Sequence, residues 1–137
     1  MPDTVPTGKA YLADDITVYY DGTRCRHFAE CLRGLPQVFN GKERPWIQPA
    51  NADPDLVAEV VRRCPTGALH YIRRDGQEEQ PDSPTTITVR EDGPILMRGD
   101  LLLQGPDGPI RDTRAALCGC GKTARIPFCD GTCGCKP

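Results

Sequence analysis

CGCGKTARIPFCDGTC, residues 118–133, places four thiols in one short loop, with Cys118 and Cys120 separated by one residue and Cys129 and Cys133 by three. Gly119, Gly121, Pro127 and Gly131 favour turns, and little in the stretch fills a core. Asp130-Gly131-Thr132 bends the chain between the last two thiols. Four cysteines on one loop suit either a structural zinc ion or a [2Fe-2S] rhomb with two thiolates on each iron. Cys135 follows two positions after Cys133, and either thiol could take the last ligand place.

Working outward, the chain of 137 residues holds eight cysteines, fourteen glycines and fourteen prolines, and only 38% of it is hydrophobic. Such a composition makes a thin apolar core and calls for further restraints. The opening MPDTVPTGKAYLADD has neither the basic region nor the apolar run of a secretory signal, so a reducing, cytoplasmic setting is expected. There, clustered thiols serve as metal ligands more often than as cystines. No apolar run is long enough to span a bilayer, and a net charge of −2 gives no reason to expect nucleic acid or an anionic membrane as partner.

The remaining cysteines form a second set: Cys25, Cys31 and Cys64. Between the two sets runs Gly76-Gln-Glu-Glu-Gln-Pro81-Asp-Ser-Pro84, polar and closed by prolines, which reads as a linker. The expected organisation is a first domain at 11–75, a linker at 76–84 and a second domain at 85–137.

In the first half, Ile16–Tyr20 has the composition of a strand. Asp53-Pro54 offers a helix N-cap with proline in the first turn, and Leu56, Val57, Val60, Val61 and Cys64 follow a helical stripe that Pro65 ends. Residues 68–72 return as a strand beside 16–20. The second half reads as β: strands at 86–90 and 95–98 flank a tight connection at 91–94, and 101–103 runs to a turn at 105–108. The fold class expected is α+β.

Cys25-x-His27, Cys31-Leu-Arg-Gly-Leu-Pro36, Val38-Phe39, Arg44-Pro-Trp46 and Cys64-Pro-Thr-Gly-Ala68 resemble the divergent single-cluster 4Fe-4S ferredoxin domain. The spacing of six followed by a remote Cys-Pro is also similar to three-cysteine [3Fe-4S] ferredoxins. Phe28 stands where a middle cysteine is usual, so the resemblance implies a [4Fe-4S] or [3Fe-4S] cluster on Cys25, Cys31 and Cys64. His27 is the candidate to hold a fourth iron. His70, away from the thiols, reads as a packing residue.

The loop quoted first is similar to the CDGSH iron-sulfur family: Cys118, Cys120, Thr123, Pro127, Cys129, Asp130, Gly131 and Thr132 fall on its pattern, with Cys133 in place of the usual histidine. The resemblance implies a [2Fe-2S] cluster on Cys118, Cys120, Cys129 and Cys133. A fourth thiolate removes a group that can be protonated, so a retentive cluster with a low, weakly pH-dependent potential is expected. A small ferredoxin-like domain followed by a β-rich CDGSH-type domain suggests an electron carrier with two unlike clusters, exchanging electrons with a reductase and an acceptor oxidoreductase. No dinucleotide fingerprint, P-loop or nucleophile elbow points to an enzyme. Cluster storage, transfer or redox sensing is the alternative, with a zinc-stabilised interaction module behind it. Oligomeric state is not legible.

Overall fold

A computed structural model describes residues 6–26, 28–91, 93–106, 108–118 and 127–129. His27, Cys120 and Cys133 lie outside the described residues. Among those described are two three-stranded antiparallel sheets and few helices.

The first sheet has the order β1-β2-β3, from strands β1 (Lys9–Leu12), β2 (Ile16–Tyr20) and β3 (Leu69–Arg73). The strands read at 16–20 and 68–72 are both present, and they pair with Tyr20 opposite Leu69 and Ile16 opposite Arg73. β1 was not expected from the sequence. Of its four residues only Tyr11 is buried.

Two α-helices, with a short 3-10 turn at Pro49–Asn51 between them, lie between β2 and β3 among the described residues. The short α1 (Glu30–Gly34) begins after Ala29, which takes a left-handed φ of 63°. α2 (Pro54–Arg62) begins as the sequence anticipates, with the Asp53 carboxylate accepting from the N–H of Asp55 at 2.8 Å. Val57, Val60 and Val61 are buried, each contributing about 1.5–3 kcal/mol relative to exposure. Leu56, counted in the same stripe, instead faces solvent. The core of this half gathers Ile16, Val18, Leu35, Val38, Phe39, Ile47 and Leu69 around α2.

The second sheet has the order β4-β5-β6 and comprises β4 (Thr86–Thr88), β5 (Ile95–Gly105) and β6 (Gly108–Leu117). The two strands expected at 95–98 and 101–103 are one strand, interrupted by a register shift between Arg98 and Leu101. Gly99 lies at this shift with φ 151°, and a Cβ there would run into the side chain of Thr85. Beyond it Leu101 and Leu103 turn inward and pack with Ala115 and Phe128.

β6 is buried continuously from Asp112 to Ala116. A strand covered on both faces is unusual in a small open sheet, and here the cover comes from the first half. Arg24 of the first half reaches Asp112 and the carbonyl of Arg114, and Arg114 reaches back to the carbonyls of Val61, Cys64 and Leu69. Glu79 crosses the same seam, accepting from Thr113 and Arg114. The polar stretch at 76–84 thus contributes a carboxylate to the packed contact between the halves.

Candidate metal centre

Each thiol of the first set is placed by a separate local device. The Asp21 carboxylate accepts from Thr7 at 2.7 Å and from the N–H and hydroxyl of Thr23, fixing the turn after β2 that delivers Arg24 and Cys25. Cys31 sits in the first turn of α1, and its carbonyl accepts from the N–H of Leu35. Arg33 steadies the loop before it by donating to the Phe28 carbonyl at 2.8 Å and to Glu30 at 2.7 Å.

Cys64 follows the end of α2. Its N–H reaches the Val61 carbonyl at 3.1 Å, and Pro65 prevents the helix from continuing. Its sulfur lies 3.5 Å from the hydroxyl of Thr66. Gly67 then takes φ +74°, where a Cβ would collide with the Arg24 guanidinium and stand 2.5 Å from the Arg114 carbonyl. This position requires glycine both for its backbone and for the close approach of the second half.

Tyr20 packs on the same core as Cys31 and Cys64. Burial first, then a side-chain hydrogen bond with Cys25 and the neighbouring Cys25, Cys31 and Cys64, raises the Tyr20 hydroxyl above its ordinary range. Burial, reinforced by Cys64 and Cys25, pushes the Cys31 thiol up to about 11. Cys31 and Cys64 pack on the first-half core beside Trp46, whose ring meets Tyr20 edge-on at 5.0 Å.

A half-buried thiol such as Cys31, whose ionisation burial and its neighbours oppose, becomes a thiolate readily beside a cation, and iron supplies that charge. The residues therefore fit an iron-sulfur group. Among the described residues, no three His, Cys, Asp or Glu side chains converge as the ligands of a single metal ion do. Thiolates of a polynuclear cluster bind different irons and stand further apart, so their arrangement differs from a one-ion site.

In the second set, Leu117 and Phe128 form an antiparallel bridge, with the Cys118 N–H reaching the Pro127 carbonyl at 3.3 Å and the Cys129 N–H reaching the Ala116 carbonyl at 2.9 Å. Alternation along the bridge puts Cys118 and Cys129 on one face as diagonal neighbours. All the described cysteines are thiols rather than cystines.

The seam joins the two sets. The Arg24 guanidinium, next to Cys25 in sequence, lies 3.9 Å from the ring centroid of Phe128, next to Cys129. Asp112, 2% exposed, accepts from Arg24 at 2.9 Å and contacts His70 Nε2 at 2.8 Å. Burial alone would raise this carboxyl, but the hydrogen bond and charge of His70, the Arg24 cation and the Thr113 N–H outweigh it and hold Asp112 well below the usual carboxylate range. His70 is buried, as its reading as a packing residue implied, but its packing is polar. Arg24, Asp112, Arg114 and Glu79 were missed as site residues, because charged side chains so far apart in sequence carry no local sign of pairing.

Comparison with known proteins finds both of the families that the two halves resemble. Residues 11–74 match the family described as divergent 4Fe-4S mono-cluster, and residues 92–132 match the iron-binding zinc finger of CDGSH type. The uncharacterized protein YjdI of Escherichia coli, in strains K12 and O157:H7, is 40% identical over 63 residues, 46% of this chain and 83% of the relative. No solved structure matches. Among the described residues no helix is long and apolar enough to cross a membrane. With Cys31 and Cys64 packed on the first core and Cys118 and Cys129 held across a bridge in the second half, the chain belongs to the divergent 4Fe-4S mono-cluster family and continues into a CDGSH-type iron-sulfur domain.

Proposed function

We propose that the protein is a cytoplasmic electron carrier, not an enzyme, with two unlike clusters. The first, [4Fe-4S] or [3Fe-4S], is held by Cys25, Cys31 and Cys64, with His27 as candidate ligand to a fourth iron. The second, [2Fe-2S], is held by Cys118, Cys120, Cys129 and Cys133. When bound, such clusters accept and release single electrons.

The observation that carries this reading is that Cys31 and Cys64, from the start of α1 and just past the end of α2, pack with the half-buried Tyr20 on one core. Tyr20 offers a hydrogen bond at Cys25, while Trp46 and the first-half core restrict water around Cys31 and Cys64. Both effects tune a cluster's potential. Phe128 and Cys129 are buried against the second sheet, which favours retention over release. Partners in this reading are a reductase and an acceptor oxidoreductase, with no nucleic acid or membrane involved.

Iron and acid-labile sulfide counted on anaerobically purified protein test it. About six irons per chain are expected for [4Fe-4S] with [2Fe-2S], and about five for [3Fe-4S] with [2Fe-2S]. Colourless protein containing zinc and no sulfide would refute the reading. Retention of both clusters in the presence of an apo-acceptor separates an electron carrier from a cluster donor.

A further inference from the structure

Arg114 is 1% exposed and uses all five of its N–H donors across the seam. Nη1 donates to the carbonyls of Val61 and Cys64, both at 2.9 Å; Nη2 donates to the Leu69 carbonyl at 2.7 Å and to Glu79 at 2.8 Å; Nε donates to Glu79 at 2.9 Å. The three carbonyls bracket the turn that presents Cys64. The Val61 carbonyl, at the end of α2, also accepts from the Cys64 N–H at 3.1 Å, and the Cys64 carbonyl from the Gly67 N–H at 3.5 Å; Arg114 adds a charged donor to each.

Arg24 makes the reciprocal contact. Its Nη1 donates to Asp112 at 2.9 Å, its Nη2 donates to the carbonyls of Thr66 at 3.0 Å and Arg114 at 3.1 Å, and its plane lies over Phe128. Asp112 and Glu79 balance the two buried cations.

From this reciprocity we infer that Arg24 and Arg114 are positioning residues that set the thiol-bearing backbone of the opposite half, making the two cluster sites one cooperative unit. Arg114, on β6, holds the Cys64 turn. Arg24, beside Cys25, holds Phe128 and hence the Ala116–Cys129 pairing. A planar guanidinium suits both tasks, because a lysine ammonium keeps the charge but cannot span several carbonyls in one plane. Only the spectroscopic arm of the test below rests on reading the thiols as cluster ligands; the exchange arm does not.

The test uses the full chain, purified anaerobically, as wild type, Arg114→Met, Arg114→Lys, Arg24→Met and, as control, Arg98→Ala. Arg98 also crosses the seam, donating to the Arg62 carbonyl, but lies near the surface and bonds neither thiol turn. Amide hydrogen exchange should rise tenfold or more at Cys64–Leu69 in Arg114→Met, and at Cys118 and Cys129 in Arg24→Met. Arg98→Ala should leave all of these within twofold. The same Arg114 variants should shift the electron paramagnetic resonance signature of the first-half cluster, and Arg24→Met that of the second.

Unchanged exchange in the opposite half, or the same pattern in Arg98→Ala, would overturn the inference. Should Arg114→Met not fold, Arg114→Lys decides: an intermediate rise at Cys64–Leu69 supports positioning, and behaviour identical to wild type refutes it. Wild-type protein that carries no electrons yet shows the expected exchange pattern would sink the proposed function and leave the clasp standing.

Discussion

Replacing Asp112 with asparagine keeps the size of the side chain and removes its charge from the centre of the seam. The carboxylate accepts from Arg24 at 2.9 Å and from the Thr113 N–H at 2.8 Å, and it meets His70 Nε2 at 2.8 Å. In Asp112→Asn, one oxygen becomes an NH2 group, which must either face the Arg24 guanidinium donor to donor or turn toward His70. Breaking a buried pair from one side costs about 3–5 kcal/mol, because the remaining charge stays buried without its partner. Against a total stability of about 5–15 kcal/mol, this is roughly a fifth of the whole or more, and the melting temperature should fall by roughly 10–20 °C.

Urea unfolding followed by circular dichroism under anaerobic, reducing conditions measures the loss. The double variant Arg24→Met with Asp112→Leu should lose less than the sum of its two single changes, since it removes both charges together. The pH dependence has a definite sign. The folded Asp112 carboxyl lies below its unfolded value of about 3.9, so its contribution is complete above that value and is lost as pH falls through the folded one. A loss under about 1 kcal/mol at neutral pH, or strict additivity in the double variant, would refute the reasoning.

Gly67→Ala forces a left-handed alanine against the Arg24 guanidinium and the Arg114 carbonyl, and the two effects together should cost about 2–5 kcal/mol in urea unfolding. Tyr20→Phe removes a hydrogen bond at Cys25; about 1 kcal/mol of preference for the reduced, more negative state corresponds to a fall of roughly 40 mV in the first site's potential, measurable by voltammetry. Cys133→His should convert a nearly flat potential at the second site into one that falls by up to about 59 mV per pH unit across the imidazole range, and an unchanged slope would count against the account of the fourth thiolate.

Much of the first half was legible because its signals are local. Asp53-Pro54 announces α2, Pro65 ends it, and β-branched residues mark β2. The thiol spacings of both sets could be read for the same reason. β1 escaped because KAYL buries only Tyr11 and so shows no alternation, and α1 escaped because it is one turn long and begins at a left-handed alanine rather than a capping side chain. The break at Gly99 is subtler: a glycine between Arg98 and Leu101 reads equally well as the end of a strand or as a bulge within one. The seam was hidden for a different reason. Arg24 and Asp112 are 88 positions apart, and in sequence each resembles an ordinary surface charge.

Gly67 also bears on how such a chain can change over time. The backbone carbonyl of Arg114, from the second half, lies 2.5 Å from where a methyl group on Gly67 of the first half would stand, so either unit grafted onto a foreign neighbour arrives with a notch and no key, or a key and no notch. Inheritance of the two as separate cassettes is therefore disfavoured, and Gly67, Arg24, Asp112 and Arg114 should travel through descent as a set.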